Sequence, residues 1–147
     1  MKWVTREHPK TDRIACPWLI RKFIDPDAEI LYVPDAEVLA TAEREGAISF
    51  DAPGGRYTHR DGLCSFEVLI ADYQLTDSAL QIMAPIVHGA DIDKGIDTTR
   101  ESAGLIAISH GFALLDLTDE RQLELELPVC DALYAWCQTQ VLSPVSA

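Results

Sequence analysis

The spacing of apolar and polar residues changes period along this chain, and that change divides it into two halves. Residues 2–7 (KWVTRE) alternate as a half-buried strand does, while residues 12–24 (DRIACPWLIRKFI) bring apolar side chains back at helical spacing. That helix starts either at an Asp12 cap or with Pro17 in a first-turn position, and Asp25-Pro26 ends it. ILYV (30–33) is a short strand by its β-branched and aromatic content, and the helical pattern of 35–45 stops at Gly46. AISFD (47–51) is a third strand, PGG (53–55) a turn and RYTH (56–59) a returning fourth strand.

From Leu63 onward the spacing predicts only helices: 63–73, 77–91 with a kink or break at Pro85, 100–110 capped by Gly111, and a last one from Glu120 or Pro128 to Leu142. No internal repeat or linker interrupts them. The order of elements predicts an α+β fold. A small, mostly antiparallel sheet comes from the N-terminal 60 residues, and several helices that make up the C-terminal half cover it.

Composition narrows the field of functions. A length of 147 residues fits a single domain with a core of its own, and 48% apolar content without a long apolar run argues against a membrane partner. The opening MKWVTREHPK lacks the apolar core of a secretory signal, which points to the cytoplasm. With 24 acidic against 12 basic residues the formal charge is −12, so nucleic acid is disfavoured as a partner of this chain alone, and any anion site must be built locally. The cysteines at 16, 64, 130 and 137 form no CxxC pair, and on one helix 130 and 137 would stand about 10 Å apart, so reduced thiols are expected.

The informative signals are polar residues at positions that helical periodicity assigns to the core. Leu63, Phe66, Leu69, Ile70 and Tyr73 form one apolar stripe, and Glu67 falls on its shoulder. In the next helix Leu80, Met83, Ala84 and Val87 form the stripe, Asp91 continues it and His88 lies beside it. The turn carrying His59 leads directly into the helix carrying Glu67. His59, Glu67, His88 and Asp91 are therefore expected to form one metal site of two imidazoles and two carboxylates, a mixed N/O set suited to Fe, Mn or Zn.

Asp12 and Cys64 are additional candidates for that site, Cys64 standing one turn before Glu67 but further round the helix. Arg13 and Arg60 are the candidate anion contacts, because a guanidinium fork matches a tetrahedral oxyanion. The competing reading is structural: His59 with Glu67 as a helix-start pair, and His88 with Asp91 closing a helix end.

The strings DRIACPWLIRKFIDPDAEILYVP, THRDGLCSFEVLIADY, VHGADID and YAWC together resemble the C-terminal domain of the ChrB-type chromate resistance proteins, over nearly the whole chain. The resemblance implies a cytoplasmic protein of bacterial chromate resistance that senses, regulates or mitigates chromate stress. It matches Asp12, Arg13, Trp18, Arg21 and Asp25, then His59, Phe66 and Glu67, then His88 and Asp91. Regulators of that family carry an additional N-terminal region. Residues 1–147 are expected to be the C-terminal-type domain alone, which weighs against transcription regulation through DNA by this chain.

Two functions follow from this reading. One is a metal-binding domain with redox chemistry on chromate or on the oxygen radicals its reduction generates. The other is a non-enzymatic module that senses chromate, a similar small oxyanion or a metal and alters a partner, an oligomer being compatible with either.

Overall fold

The computed structural model describes residues 1–91 and 99–142. Its first half is a pair of strand–helix–strand units. β1 (Lys2–Arg6) leads into α1 (Asp12–Leu19), which a π-helical turn Ile20–Ile24 prolongs, and the chain returns as β2 (Glu29–Val33). A 3₁₀ turn, Asp35–Glu37, and α2 (Val38–Glu45) connect β2 to β3 (Ile48–Ser49). The remaining helices are α3 (Ser65–Asp72), α4 (Ser78–Asp91), α5 (Arg100–Ala113) and α6 (Asp119–Leu142).

The sheet has the order β2-β1-β3, and both pairings are parallel, Trp3 standing opposite Ile30 and Ile48. This corrects the expectation of a mostly antiparallel sheet. The physical reason lies in the connections: each pair of successive strands is joined through a helix, and a helical crossover returns the chain in its original direction, whereas an antiparallel pair needs a tight hairpin. The expected fourth strand at 56–59 is only a single parallel bridge between Tyr57 and Phe50.

The central strand is buried on both faces. Trp3 lies in the main core with Phe50, Phe66, Leu69, Leu80 and Met83, while Val4 points the other way against Val38 of α2 and Ala52. The indole of Trp3 donates to Asp25 Oδ2 at 3.0 Å, so the largest core side chain also holds the end of the π-helical turn. The thiols of Cys16, Cys64, Cys130 and Cys137 are free and buried. Among the described residues no helix is long and apolar enough to cross a membrane.

Two helices outrun their sequence signals. α4 continues through Pro85, where the missing N–H would have bonded the carbonyl of Gln81, an exposed residue whose carbonyl water can serve. α5 continues past Gly111 to Ala113, because Gly111 does not take the left-handed conformation that ends a helix. Gly46 does take it, with φ +62° at the end of α2. The last two residues of VHGADID, 92 and 93, lie outside the described residues.

Gly46 and Gly104 predict opposite signs for one substitution. Gly46→Ala has room but a left-handed backbone, so it should cost about 1 kcal/mol. Gly104→Ala, equally unobstructed inside α5, should add about 0.5–1 kcal/mol. Urea midpoints of the two variants measure both, and a shift of the same sign in the two would contradict the assignment.

Candidate metal centre

In a parallel sheet the carboxyl ends of the strands are where a crevice opens. Arg6 ends β1, Asp51 follows β3 two residues on, and Asp12 opens α1 just beyond β1. Arg6 reaches across the crevice, its Nε donating to Asp51 O at 2.8 Å and its Nη2 meeting Asp51 Oδ2 at 3.3 Å. Asp51 holds a left-handed backbone, φ +46°, a conformation uncommon outside glycine and found at functional sites.

Asp12 is 1% exposed and yet fully engaged. Its Oδ2 accepts from Ser65 N at 2.7 Å and its Oδ1 from Phe66 N at 3.2 Å, so it satisfies the first N–H groups of α3 from a distant part of the sequence. Ser65 then donates its own hydroxyl to Asp51 Oδ1 at 2.8 Å.

The stretch THRDGLCSFE positions the next candidate ligands. Arg60 and Leu63 exchange both backbone hydrogen bonds, and Asp61 and Gly62 between them have φ +53° and +80°, the signature of a type I′ turn. His59 therefore lies just before a tight turn and Cys64 just after it. Cys64 is the N-cap of α3, and Glu67 Oε1 accepts from its N–H at 3.1 Å as one half of a capping box. Packing of α3 on α4 brings Glu67 Oε1 to within 2.5 Å of His88 Nδ1. One turn further along α4, Asp91 Oδ2 lies 2.9 Å from His59 Nε2, which is also 3.5 Å from Asp12 Oδ2 and from Asp51 Oδ1.

The four residues expected in one site instead fall into two neighbouring sets, Glu67 with His88 and His59 with Asp91. Asp12, His59 and Asp91 place their ligand atoms within 4.8 Å of one another, and so do Cys64, Glu67 and His88. Asp12 and Cys64, the additional candidates, complete one set each. Arg13 lines the same cleft as the first set, with Arg6, Lys10 and Asp51, in a hollow of about 220 Å³. Arg60 does not line it: both its guanidinium amines are bound to Asp72 at the surface, at 2.6 and 3.1 Å.

Sequence reasoning passed over Asp51, Ser65, Arg6 and Lys10. The signal that finds Asp51 and Arg6 is the parallel sheet, whose carboxyl edge they flank.

Charge is crowded here. The contact with the Asp12 carboxylate, then the charges of Asp91 and Asp51, hold the His59 imidazole protonated up to about 9. Burial first, then the neighbouring Asp12 and Asp51, pushes the Asp91 carboxyl up to about 7. Burial and Asp12 also raise Asp51, opposed by the Ser65 hydroxyl and by Arg13 and Arg6. Two atoms of cleft residues are buried without a well-aligned hydrogen bond to any described residue: Asp91 Oδ2, which is nevertheless ion-paired with His59 Nε2 at 2.9 Å, and Arg13 Nε. A buried carboxylate oxygen held by one imidazole contact and lying beside a second carboxylate fits a divalent cation, which would take the place of the imidazole proton.

Residues 3–137 match the family model described as ChrB, C-terminal domain. Over 134 residues, 90% of the chain, the sequence is 35% identical to Protein ChrB of Cupriavidus metallidurans. The chain spans 40% of that relative's length. No solved structure matches it significantly.

The titrations carry a signed expectation for the metal-free chain. His59 gains a proton-stabilised contact that is fully present below its unfolded value of about 6.5 and is lost as pH rises to about 9. Asp91 binds its proton more tightly folded than unfolded, so its contribution falls between about 4 and about 7, and the buried Glu126, also raised to about 7, acts in the same direction. Urea midpoints of chelator-treated protein should therefore decline from about pH 4 to about pH 9. His59→Gln should flatten the upper part of that decline, and a midpoint that rises from neutral to alkaline pH would contradict the assignment.

Proposed function

This chain belongs to the ChrB C-terminal domain family, and from that membership and the donors in its cleft we propose that it is the metal-binding domain of a chromate resistance protein, acting in the response to chromate stress or in its mitigation. The observation that carries the metal reading is the buried Asp91 Oδ2, left without an aligned partner among the described residues beside His59 and Asp12. Two carboxylates and one imidazole suit Mn(II) or Fe(II), with Zn(II) a weaker fit to so oxygen-rich a set.

Asp12, His59 and Asp91 hold the ion. Asp12 is oriented by the N-terminus of α3, and Asp51 stands behind His59 as a further acceptor. When bound, Fe or Mn supplies a one-electron couple. Around it this chain's residues fix the ligands, strip water from Asp12 and Asp91, and line the hollow with Arg13 for an incoming chromate or similar oxyanion. Lys10 and Arg6 line the same hollow. The site is assigned to the cytoplasm, where chromate that has entered the cell is met.

The second reading is a non-catalytic sensor. What favours it is that the ligands come from α1, the 50–64 loop and α4, while Asp12 also binds the start of α3. Filling the cleft would tighten four segments at once and could be read by a partner or a further domain.

Metal analysis by mass spectrometry after reconstitution with Mn(II) or Fe(II) tests the proposal. The wild-type chain should retain the metal through gel filtration, and His59→Ala and Asp91→Ala should each weaken retention about 100-fold or more. Retention unchanged in both variants would remove the cleft as the site. In loaded protein, turnover in chromate reduction or superoxide dismutation supports the catalytic reading, and inactivity in both supports the sensor.

A further inference from the structure

Cys64, Glu67 and His88 stand apart from the cleft in three ways. The hollow that reaches Glu67 is a groove of about 380 Å³ lined by Leu63, Ile70, Gln81 and Ala84 among others, and it shares no lining residue with the cleft of Asp12, His59 and Asp91. The donors differ, one set offering sulfur, nitrogen and oxygen and the other nitrogen and two carboxylate oxygens. The access differs too: Cys64 is fully buried, but His88 is 34% exposed and Glu67 20%, so an ion can approach from the imidazole side.

The sulfur is an unusual group for its position. As the N-cap of α3, Cys64 occupies a position where Ser, Thr, Asp or Asn accept a backbone hydrogen bond far better than a thiol does. The first two N–H groups of that helix are served by Asp12, leaving the sulfur to the N–H of Glu67. A thiolate would be a strong acceptor there and would be favoured by the helix end. Burial and the nearby Asp12, Glu67 and Asp91 carboxylates keep the thiol protonated, pushing its pKa well up. A bound cation reverses that balance.

Geometry permits it. Donors around a tetrahedral Zn(II), with bonds of roughly 2.0–2.3 Å, stand roughly 3.3–3.8 Å from one another. The three ligand atoms lie within 4.8 Å of one another, on the N-cap and first turn of α3 and on the packed neighbouring helix α4.

We propose that Cys64, Glu67 and His88 form a second metal site, distinct from the cleft, that takes a thiolate-seeking divalent ion such as Zn(II) or Co(II) and leaves its fourth position open. On binding, the sulfur–proton bond is exchanged for a sulfur–metal bond and the proton passes to solvent, with no change of oxidation state. The assignment goes beyond the proposed function and does not require it, since it uses none of the cleft's ligands.

Reconstitution of the chelator-stripped chain with Co(II), followed by mass-spectrometric counting and near-ultraviolet absorption, tests it. Two equivalents are expected, with a thiolate-to-cobalt charge-transfer band. Cys64→Ser, which preserves the cap, should abolish the band and weaken one equivalent about 100-fold or more, as should His88→Ala. His59→Ala should remove the other equivalent and leave the band intact. If Cys64→Ser and His88→Ala change neither count nor spectrum while His59→Ala loses metal, the second site is overturned and the cleft stands. If His59→Ala changes nothing while Cys64→Ser loses the band, the cleft falls and the second site stands. A single equivalent lost alike from changes in either set would mean one mixed centre and overturn the two-site assignment. Urea midpoints identify any variant that loses metal only because it has unfolded, and His88→Gln, a milder change on an exposed edge, then replaces His88→Ala.

Discussion

The carboxylate of Asp12 ties the first half of the molecule to the second. It sits at the first position of α1, is almost entirely excluded from solvent, and accepts the N–H groups of Ser65 and Phe66 at the start of α3. A buried charge is tolerated only where hydrogen bonds replace its hydration, and the N-terminus of α3 supplies two such bonds together with a favourable dipole. From this contact the rest of the site takes its place: Ser65 is held where it can donate to Asp51, α3 is held where Glu67 meets His88, and the type I′ turn before it swings His59 toward Asp91. Asp12 serves structure and cleft together.

The fold was legible from the sequence in its elements and misread in their pairing. Apolar spacing located the helices and the three strands because burial imposes period on each element separately. Strand direction is not carried by that period. It follows from what connects the strands, and the clear helical pattern of residues 12–24 between two short strands already meant a crossover and a parallel pair. The misreading had a cost at the site. A parallel sheet directs attention to its carboxyl edge, where Arg6 and Asp51 lie, whereas an antiparallel sheet has no such preferred edge.

At the site, periodicity singled out Glu67, His88 and Asp91 on or beside apolar faces, which is a local property, and their grouping with His59 as one candidate site follows from it. Their division into two sets does not. It depends on the Asp61-Gly62 turn, which puts His59 and Cys64 on opposite arms of a hairpin, and on the one-turn rise between His88 and Asp91 along α4. Arg60 illustrates the limit from the other side: its guanidinium fork made it a candidate anion contact, but that fork is held by Asp72.

Charge sets an order of events in the cleft under the proposed function. The chain carries a formal −12, and within the cleft Asp12, Asp51 and Asp91 face His59, Arg6, Arg13 and Lys10. Arg6 and Arg13 are both drawn to Asp51. An incoming dianion therefore meets a repelling field at long range and guanidinium groups already engaged at short range. A divalent cation meets the opposite: the long-range field draws it in, and the buried Asp91 oxygen would exchange its contact with the His59 proton for one with the metal. Such a cation, held by Asp12, His59 and Asp91, would offset carboxylate charge in the hollow that Arg13 also lines. Cation first and oxyanion second is the sequence that the distribution of charge favours, and it makes oxyanion recognition conditional on metal occupancy.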